Sequence, residues 1–373
     1  MTPLKLGMVG GGKGAFIGGV HRMAARLDGC YELVAGAFAS DPVRGHASAV
    51  ELGVSEDRSY EHFSEMAMAE AARQDGIDVV SIVTPNHLHG PIAEAFLAQN
   101  IHVICDKPMT ATLAQAESLM AAVSASSATF FLTHNYTAYP MIRQAQQMVA
   151  EGALGELQIV EANYLQDWLT EAPNANNKQA TWRTDPSQSG GGAIGDIGTH
   201  AYNLVCFVTG LRTRALNATL HSHVAGRNVD DDARVTLHFH GGARGHIWAS
   251  QVAVGNENNL TLSVYGTKGS IRWSQENPNQ LWFSKLGETA QMFTRGGNLY
   301  ASAAAVTRIP AGHPEGYLEA FATLYREAAE VIAASGEPTH LNSVIGVEQG
   351  LDGVRFVDAC QRSSNAQAAW VTL

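Results

Sequence analysis

The chain has 373 residues, more than a single hydrophobic core usually serves, so two domains are expected. It is 45% hydrophobic and 16% charged without low-complexity runs, which excludes a disordered chain. A formal net charge of -11 argues against nucleic acid or an anionic membrane as partner, since either needs a basic patch, and leaves a small molecule as the expected ligand. In chain order, LKLGMVG (4–10) reads as an apolar strand ending in glycine, after which Phe16, Ile17, Val20, Met23, Ala24 and Leu27 recur at helical spacing. YELVAGAF (31–38) reads as a strand, SDPVRGHASAVELG (40–53) as a loop whose Asp41-Pro42 opens a helix, and YEHFSEMAMAEAAR (60–73) as a helix. IDVVSIVT (77–84), IHVICD (101–106) and ATFFLTHN (128–135) read as further strands, with helices HGPIAEAFLAQN (89–100) and AQAESLMAAVSAS (114–126) between them. Strict alternation of helices with nearly continuous apolar strands predicts a parallel sheet covered on both faces, the doubly wound α/β fold.

No apolar stretch approaches the about 20 residues of a membrane helix, and MTPLKLGMVGGG lacks a signal-peptide layout, so no membrane association and a cytoplasmic location are expected. Cys30, Cys105, Cys206 and Cys360 are widely spaced, which predicts reduced, buried thiols in place of a disulfide framework or zinc site.

In a doubly wound sheet the ligand sits beyond the carboxyl ends of the strands. Each β-to-α loop is therefore a candidate contact. Gly10, Gly12 and Gly14, with Lys13, Ala15 and Phe16, form a glycine loop before a helix, suited to close approach of a pyrophosphate. The spacing departs from GxGxxG: Ala15 holds the third position and Gly18 comes three residues late. Phe38 and Ala39 stand where an acid for the adenosine ribose is usual, which leaves Ser40 or Asp41 for that task, or Asp41 simply caps the helix that Pro42 opens. Arg44 is the nearby cation that a 2′-phosphate would need, and NAD is favoured over NADP. Thr84, Pro85, Asn86 and His89 follow the 77–84 strand, Asp106, Lys107 and Pro108 follow the 101–106 strand, and Asn135 ends the 128–135 strand; all are assigned to the cofactor cleft.

With GGGKGAFIGGVHR, TPNHLH, CDKP and GGGAIGDIGTHAYN in this order, the chain resembles the Gfo/Idh/MocA family, named for glucose-fructose oxidoreductase and inositol dehydrogenase. Two features depart from the family pattern: Asp106 stands where the usual tripeptide is Glu-Lys-Pro, and His21-Arg22 follows a lengthened glycine loop. The resemblance implies a Rossmann domain over 1–133 and a C-terminal α/β domain over 134–373 with an open, mostly antiparallel sheet. It also implies association into a homodimer or homotetramer. The strand-like runs 155–166, 232–242, 244–254, 259–274 and 279–285 support that sheet independently.

Asp196 and His200 lie four apart in AIGDIGTHAYNLVCFV, which as a helix puts them on one face; read alone, Asp196 is as well a cap and His200 a core histidine. The resemblance implies that they act with Lys107. Oxidation of a secondary alcohol needs a base, and histidine, near 6.5 unperturbed, suits that task. His200 is then the base, Lys107 stabilises the developing alkoxide, and Asp196 orients the substrate. A cis peptide is expected before Pro108. The substrate implied is a carbohydrate or cyclitol; Tyr136, Tyr139, Trp168, Trp182, Arg183 and His313, with Glu315 beside the last, are candidates for its wall by their place in the chain, ordinary packing being the alternative for the aromatics. The alternative within the family is an NAD-dependent glycosidase that oxidises transiently, eliminates, hydrates and returns the hydride. No metal is expected: His87/His89, His221/His223 and His238/His240 lack carboxylate partners, and Asp230-Asp231-Asp232 reads as a solvated turn in preference to a calcium loop.

Overall fold

The computed structural model describes residues 2–172, 190–334 and 344–373, so Trp182 and Arg183 lie outside the described residues. The chain divides into two units, one of residues Met1–Asn135 with Tyr317–Leu351, the other of Tyr136–Gly316 with Asp352–Leu373.

The first unit carries β1 (Leu4–Gly10), α1 (Phe16–Leu27), β2 (Tyr31–Ala37), α2 (Pro42–Leu52), α3 (Phe63–Ala72), β3 (Val79–Val83), α4 (His89–Leu97), β4 (His102–Cys105), α5 (Leu113–Ala125) and β5 (Phe130–Leu132). The five strands pair in parallel in the order β2-β1-β3-β4-β5, a Rossmann sheet whose order reverses beside β1. Every residue of β3 is buried, as its β-branched composition demands of a strand covered on both faces. Local signals set the helix ends. Asp41 Oδ1 accepts the Arg44 N–H at 2.8 Å with Pro42 in the first turn, and Gly53 closes α2 at φ 74°.

The second unit holds α6 (Pro140–Ala150), β6 (Leu157–Leu165), a π-helical turn Ile194–Gly198 that runs into α7 (Thr199–Thr209), and β7 (Thr213–His221), β8 (Asp232–Phe239) and β9 (Arg244–Ser250). β10 (Asn259–Gly266), β11 (Gly269–Ser274), β12 (Gln280–Lys285), β13 (Gln291–Thr294) and α8 (Ala301–Ala304) follow. Its nine-stranded sheet has the order β13-β12-β11-β10-β6-β9-β8-β7-β14, where β14 is Val371–Thr372; β6 and β9 pair in parallel and all other neighbours are antiparallel. Val160, Ala162 and Tyr164 of β6 are buried while Ile159 and Glu161 are exposed, the alternation of a sheet covered on one face. The fold is thus α/β, with a parallel Rossmann sheet and a second, mostly antiparallel one.

Three features differ from the sequence reading. The 259–274 run is two strands that turn at 267–268. β7, β13 and β14 form where the sequence pattern predicts no strand. The second domain was read as unbroken from 134 to 373, whereas helix α9 (Tyr317–Ala333) belongs to the first unit. Its Phe321, Tyr325, Ala328 and Ala329 complete one core with Leu6, Val20, Ala24, Tyr31 and Val79. The division between the units then falls within α10 (Val347–Asn365).

Candidate active site

In the first unit the candidate residues collect at the carboxyl ends of the strands. β1 ends at Gly10, φ 82°, and Gly11 and Gly14 of the loop that follows stand at φ 70° and 84°. Helix α1 starts at Phe16, immediately after Ala15, and Gly18 lies in its first turn. A Cβ on Gly18 would stand 2.4 Å from Gly11 Cα. Gly18, and not the residue at 15, is therefore the glycine that lets helix and loop touch, so its late position is explained by the helix start. Arg22 donates to Gly11 O at 2.6 Å, Gly12 N to Phe38 O at 3.2 Å and Lys13 N to Ser48 Oγ at 3.0 Å, which fix the loop from three sides. Phe16 is exposed, and the first turn of α1 has neither a side-chain cap nor an acid, which leaves its N–H groups for an anion. Asp41 has one carboxylate oxygen in its capping bond and is exposed, as is Ser40 beside it.

Beyond β3 and β4 the two loops are cross-linked by His89, fully enclosed, whose Nδ1 lies 2.8 Å from Pro108 O and Nε2 2.9 Å from Thr84 O. Burial lowers the His89 pKa, opposed by Asp106 and the two carbonyls. Both ring nitrogens face main chain, so His89 ties the two loops together. The Lys107–Pro108 peptide is cis. Lys107 is half-buried, and its N–H donates to Asp106 Oδ1 at 2.9 Å. Burial pushes the Asp106 carboxyl upward, yet the His21 imidazole facing it at 3.7 Å, with the charges of Lys107 and His89, outweighs that and holds the group at about 2. Thr84 Oγ1 and Asn135 Nδ2 are buried without a hydrogen-bond partner in the protein, an unusual condition for polar atoms and one that a dinucleotide's polar groups would relieve. Asn86 is also buried. The glycine loop, the uncapped helix start and these orphaned atoms fit a bound NAD.

In the second unit, Asp196 and His200 flank the change from π-turn to α-helix. The sequence reading expected one α-helical turn between them; Gly195 and Gly198 tolerate the wider i→i+5 turn found instead, a distortion common at functional sites. Asp196 Oδ2 accepts from Gln251 Nε2 at 2.9 Å. His200 is buried, its ring edge-on to Tyr136 at 4.8 Å and tilted on Tyr164 at 6.1 Å. Tyr136 and Tyr164 share a 2.6 Å hydroxyl contact that continues to Asn258 Oδ1 at 2.8 Å.

The aspartate triplet is a correction: these residues are structural, not a solvated turn. Asp230 accepts Gly192 N at 2.9 Å and Ile194 N at 2.7 Å and so caps the π-turn, and burial pushes its carboxyl up to about 6. Gly192 is required there because a Cβ would fall 1.8 Å from Asp230 O. Asp231, fully buried, pairs with Arg227 at 3.0 Å, and Asp232 accepts the Trp248 indole N–H. Glu315 is likewise committed, buried in an ion pair with Arg295, while His313 is exposed and offers its carbonyl to the same Arg295. Tyr139 is buried against Trp273 and so is core and not wall, and Trp168 is partly exposed with its indole on Gln166. Sequence reasoning noted His21-Arg22 only as a departure from the family pattern, without a role, and missed Thr133 and Gln251. Only His21 left a signal, a histidine on the apolar stripe of α1 with Ile17, Val20 and Ala24.

Residues 4–134 match an oxidoreductase family described as an NAD-binding Rossmann fold, and residues 142–272 match the GFO/IDH/MocA C-terminal domain. The chain is 33% identical to the uncharacterized oxidoreductase YfiI of Bacillus subtilis, over 99% of this chain and 96% of that one. An oxidoreductase from Sinorhizobium meliloti superposes with a TM-score of 0.93 at 49% identity over 100% of both chains. An inositol dehydrogenase homolog from Azotobacter vinelandii, complexed with NADH and myo-inositol, superposes with a TM-score of 0.93 at 35% identity, over 100% of this chain and 98% of that one. No helix among the described residues is long and apolar enough to cross a membrane.

Proposed function

The chain belongs to the Gfo/Idh/MocA family of oxidoreductases with an NAD-binding Rossmann domain, and from that premise we propose that it is an NAD-dependent dehydrogenase acting on a secondary ring hydroxyl of a sugar, sugar derivative or cyclitol. The observation that carries the reading is the glycine loop joined in one unit to the half-buried Lys107 on its cis turn, both at strand carboxyl ends. The Azotobacter homolog, complexed with myo-inositol, supports the cyclitol class.

Gly10 to Phe16, Thr84 to Asn86 and Asn135 hold the cofactor, with Ser40 and Asp41 at its ribose. When bound, NAD supplies a hydride acceptor. The exposed anion at Asp41 disfavours a second phosphate and so favours NAD over NADP. Lys107 Nζ donates to the substrate hydroxyl and stabilises the alkoxide as its proton leaves, and a His200 ring nitrogen takes that proton. Asp196, held by Gln251, orients a neighbouring hydroxyl. The buried tyrosines around His200 exclude water from it.

The test is NADH formation over a panel of cyclitols, aldoses and sugar acids with NAD and NADP. Steady NADH production that depends on substrate supports the proposal. Release of aglycone from a nitrophenyl glycoside without net NADH would select the redox-neutral glycosidase instead.

A further inference from the structure

The two departures from the family pattern, Asp106 and His21, meet in the fold. His21 is fully buried on α1, the helix that carries the dinucleotide loop at its start. Its Nδ1 lies 2.8 Å from Tyr325 Oη, which is 2.7 Å from Ser81 Oγ on β3. Its Nε2 lies 3.7 Å from Asp106 Oδ1, the same oxygen that accepts from Lys107 N at 2.9 Å and Thr133 Oγ1 at 3.0 Å. Phe321 and Tyr325 of α9 hold the ring plane, with centroids at 5.1 and 5.7 Å.

The chemistry fixes the polarity. A carboxylate only accepts, so the nitrogen facing it carries a proton. In the neutral ring Nδ1 then accepts from the Tyr325 hydroxyl, which accepts from Ser81; in the cationic ring both hydroxyls rotate and the direction reverses. In each state Nε2 carries a proton and stands 3.7 Å from Asp106 Oδ1, longer than a hydrogen bond and close enough for the charges to interact. The acid here is one methylene shorter than the usual glutamate, and the imidazole lies 3.7 Å from it.

We propose that His21 is a positioning residue: through Nε2 it holds the Asp106 carboxylate, and with it the Lys107 turn, in register with the helix that bears the dinucleotide loop. The part of this that concerns catalysis rests on the role given to Lys107 above. The groups facing Asp106 are His21 from α1, His89 from α4, its neighbours Cys105 and Lys107, Thr133 and His134 beyond β5, and Tyr325 from α9.

The test compares His21→Gln with His21→Asn in the full-length protein. The Gln amide nitrogen reaches the place of Nε2, whereas the Asn amide reaches only that of Nδ1. The readouts are the Asp106 carboxyl titration by 13Cγ resonance, the Lys107 titration by 13C-methylated amine assigned with Lys107→Arg, and the pH profile of kcat/KM. His21→Asn is expected to raise the Asp106 titration by about one unit or more and to lower kcat/KM across its pH profile as the Lys107 turn loosens, while His21→Gln keeps the titration at its original position. Tyr325→Phe keeps the packed ring and removes the hydroxyl that sets the tautomer; a smaller shift in the same direction is expected. Asn and Gln variants that titrate alike, or a Tyr325→Phe titration unchanged where the His21 variants do not fold, overturn the inference. The titrations need no substrate. If no sugar or cyclitol is oxidised, the dehydrogenase reading fails while the resonances still decide His21; unmoved resonances with intact turnover sink the inference alone.

Discussion

Gly18→Ala isolates the packing that sets the dinucleotide loop. The new Cβ would stand 2.4 Å from Gly11 Cα, 2.7 Å from Gly11 O and 3.0 Å from Gly11 C, against an ordinary contact that begins at 3.4 Å. Main chain cannot rotate away as a side-chain tip can, so the loop retreats by 3.4 − 2.4, about 1 Å. Overpacking costs about 1–3 kcal/mol, and replacing a helical glycine returns about 1 kcal/mol, so the net loss of stability is small. The effect on binding is not small, because the displaced residue is the one whose amide and carbonyl shape the phosphate-facing turn. At least about tenfold weaker NADH binding is expected, equivalent to about 1.4 kcal/mol. Gly19→Ala is the control. Its Cβ meets nothing within 4 Å, so it should gain about 1 kcal/mol of helix stability and leave NADH affinity unchanged. NADH fluorescence titration and thermal melts on both variants measure the two effects. Equal NADH affinities for the two variants would refute the reasoning.

Lys107→Ala should lower kcat by about 10²–10⁴-fold while NADH still binds, and His200→Ala should fall in the same range, both measured by steady-state NADH production. Asp230 bears on stability. Its folded pKa, about 6, is raised above the ordinary 3.8, so its contribution is complete below 3.8 and is lost as pH rises through about 6. The two-unit shift corresponds to a loss on the order of 3 kcal/mol. The stability of the native protein relative to Asp230→Asn should therefore decline across that window in paired chemical denaturation curves. Asp106 has the opposite sign: lowered to about 2, it contributes above 3.8, and that contribution disappears as pH falls through about 2, which an Asp106→Asn comparison in acid measures. Arg227→Ala leaves the Asp231 carboxylate buried without its counter-ion and should destabilise the second unit by about 3–5 kcal/mol in urea denaturation.

The Rossmann half was legible because its signals are local. LKLGMVG is the strand Leu4–Gly10, and Asp41-Pro42 opens α2. The nine-stranded sheet was legible only in part: β7 has polar Arg214, Asn217 and Thr219 on a chain segment without turn signals, and β14 is two residues long. The π-turn at Ile194–Gly198 depends on Asp230, whose carboxylate caps it from 36 residues away in sequence. Helix α9 shows its apolar stripe in sequence, but nothing in that stripe states which core it joins. The network around His21 is hidden for the same reason, since Tyr325 is 304 positions from it. Of the candidate site, the glycine loop and the cis turn were visible as motifs, while the residues that hold them in place were not.

The most direct test is a crystal structure with NADH and a substrate identified from the panel. The expected result is one substrate hydroxyl within hydrogen-bond reach, about 2.6–3.2 Å, of both Lys107 Nζ and a ring nitrogen of His200. A substrate whose reacting hydroxyl is met by neither group, or by groups other than these, would contradict the assignment.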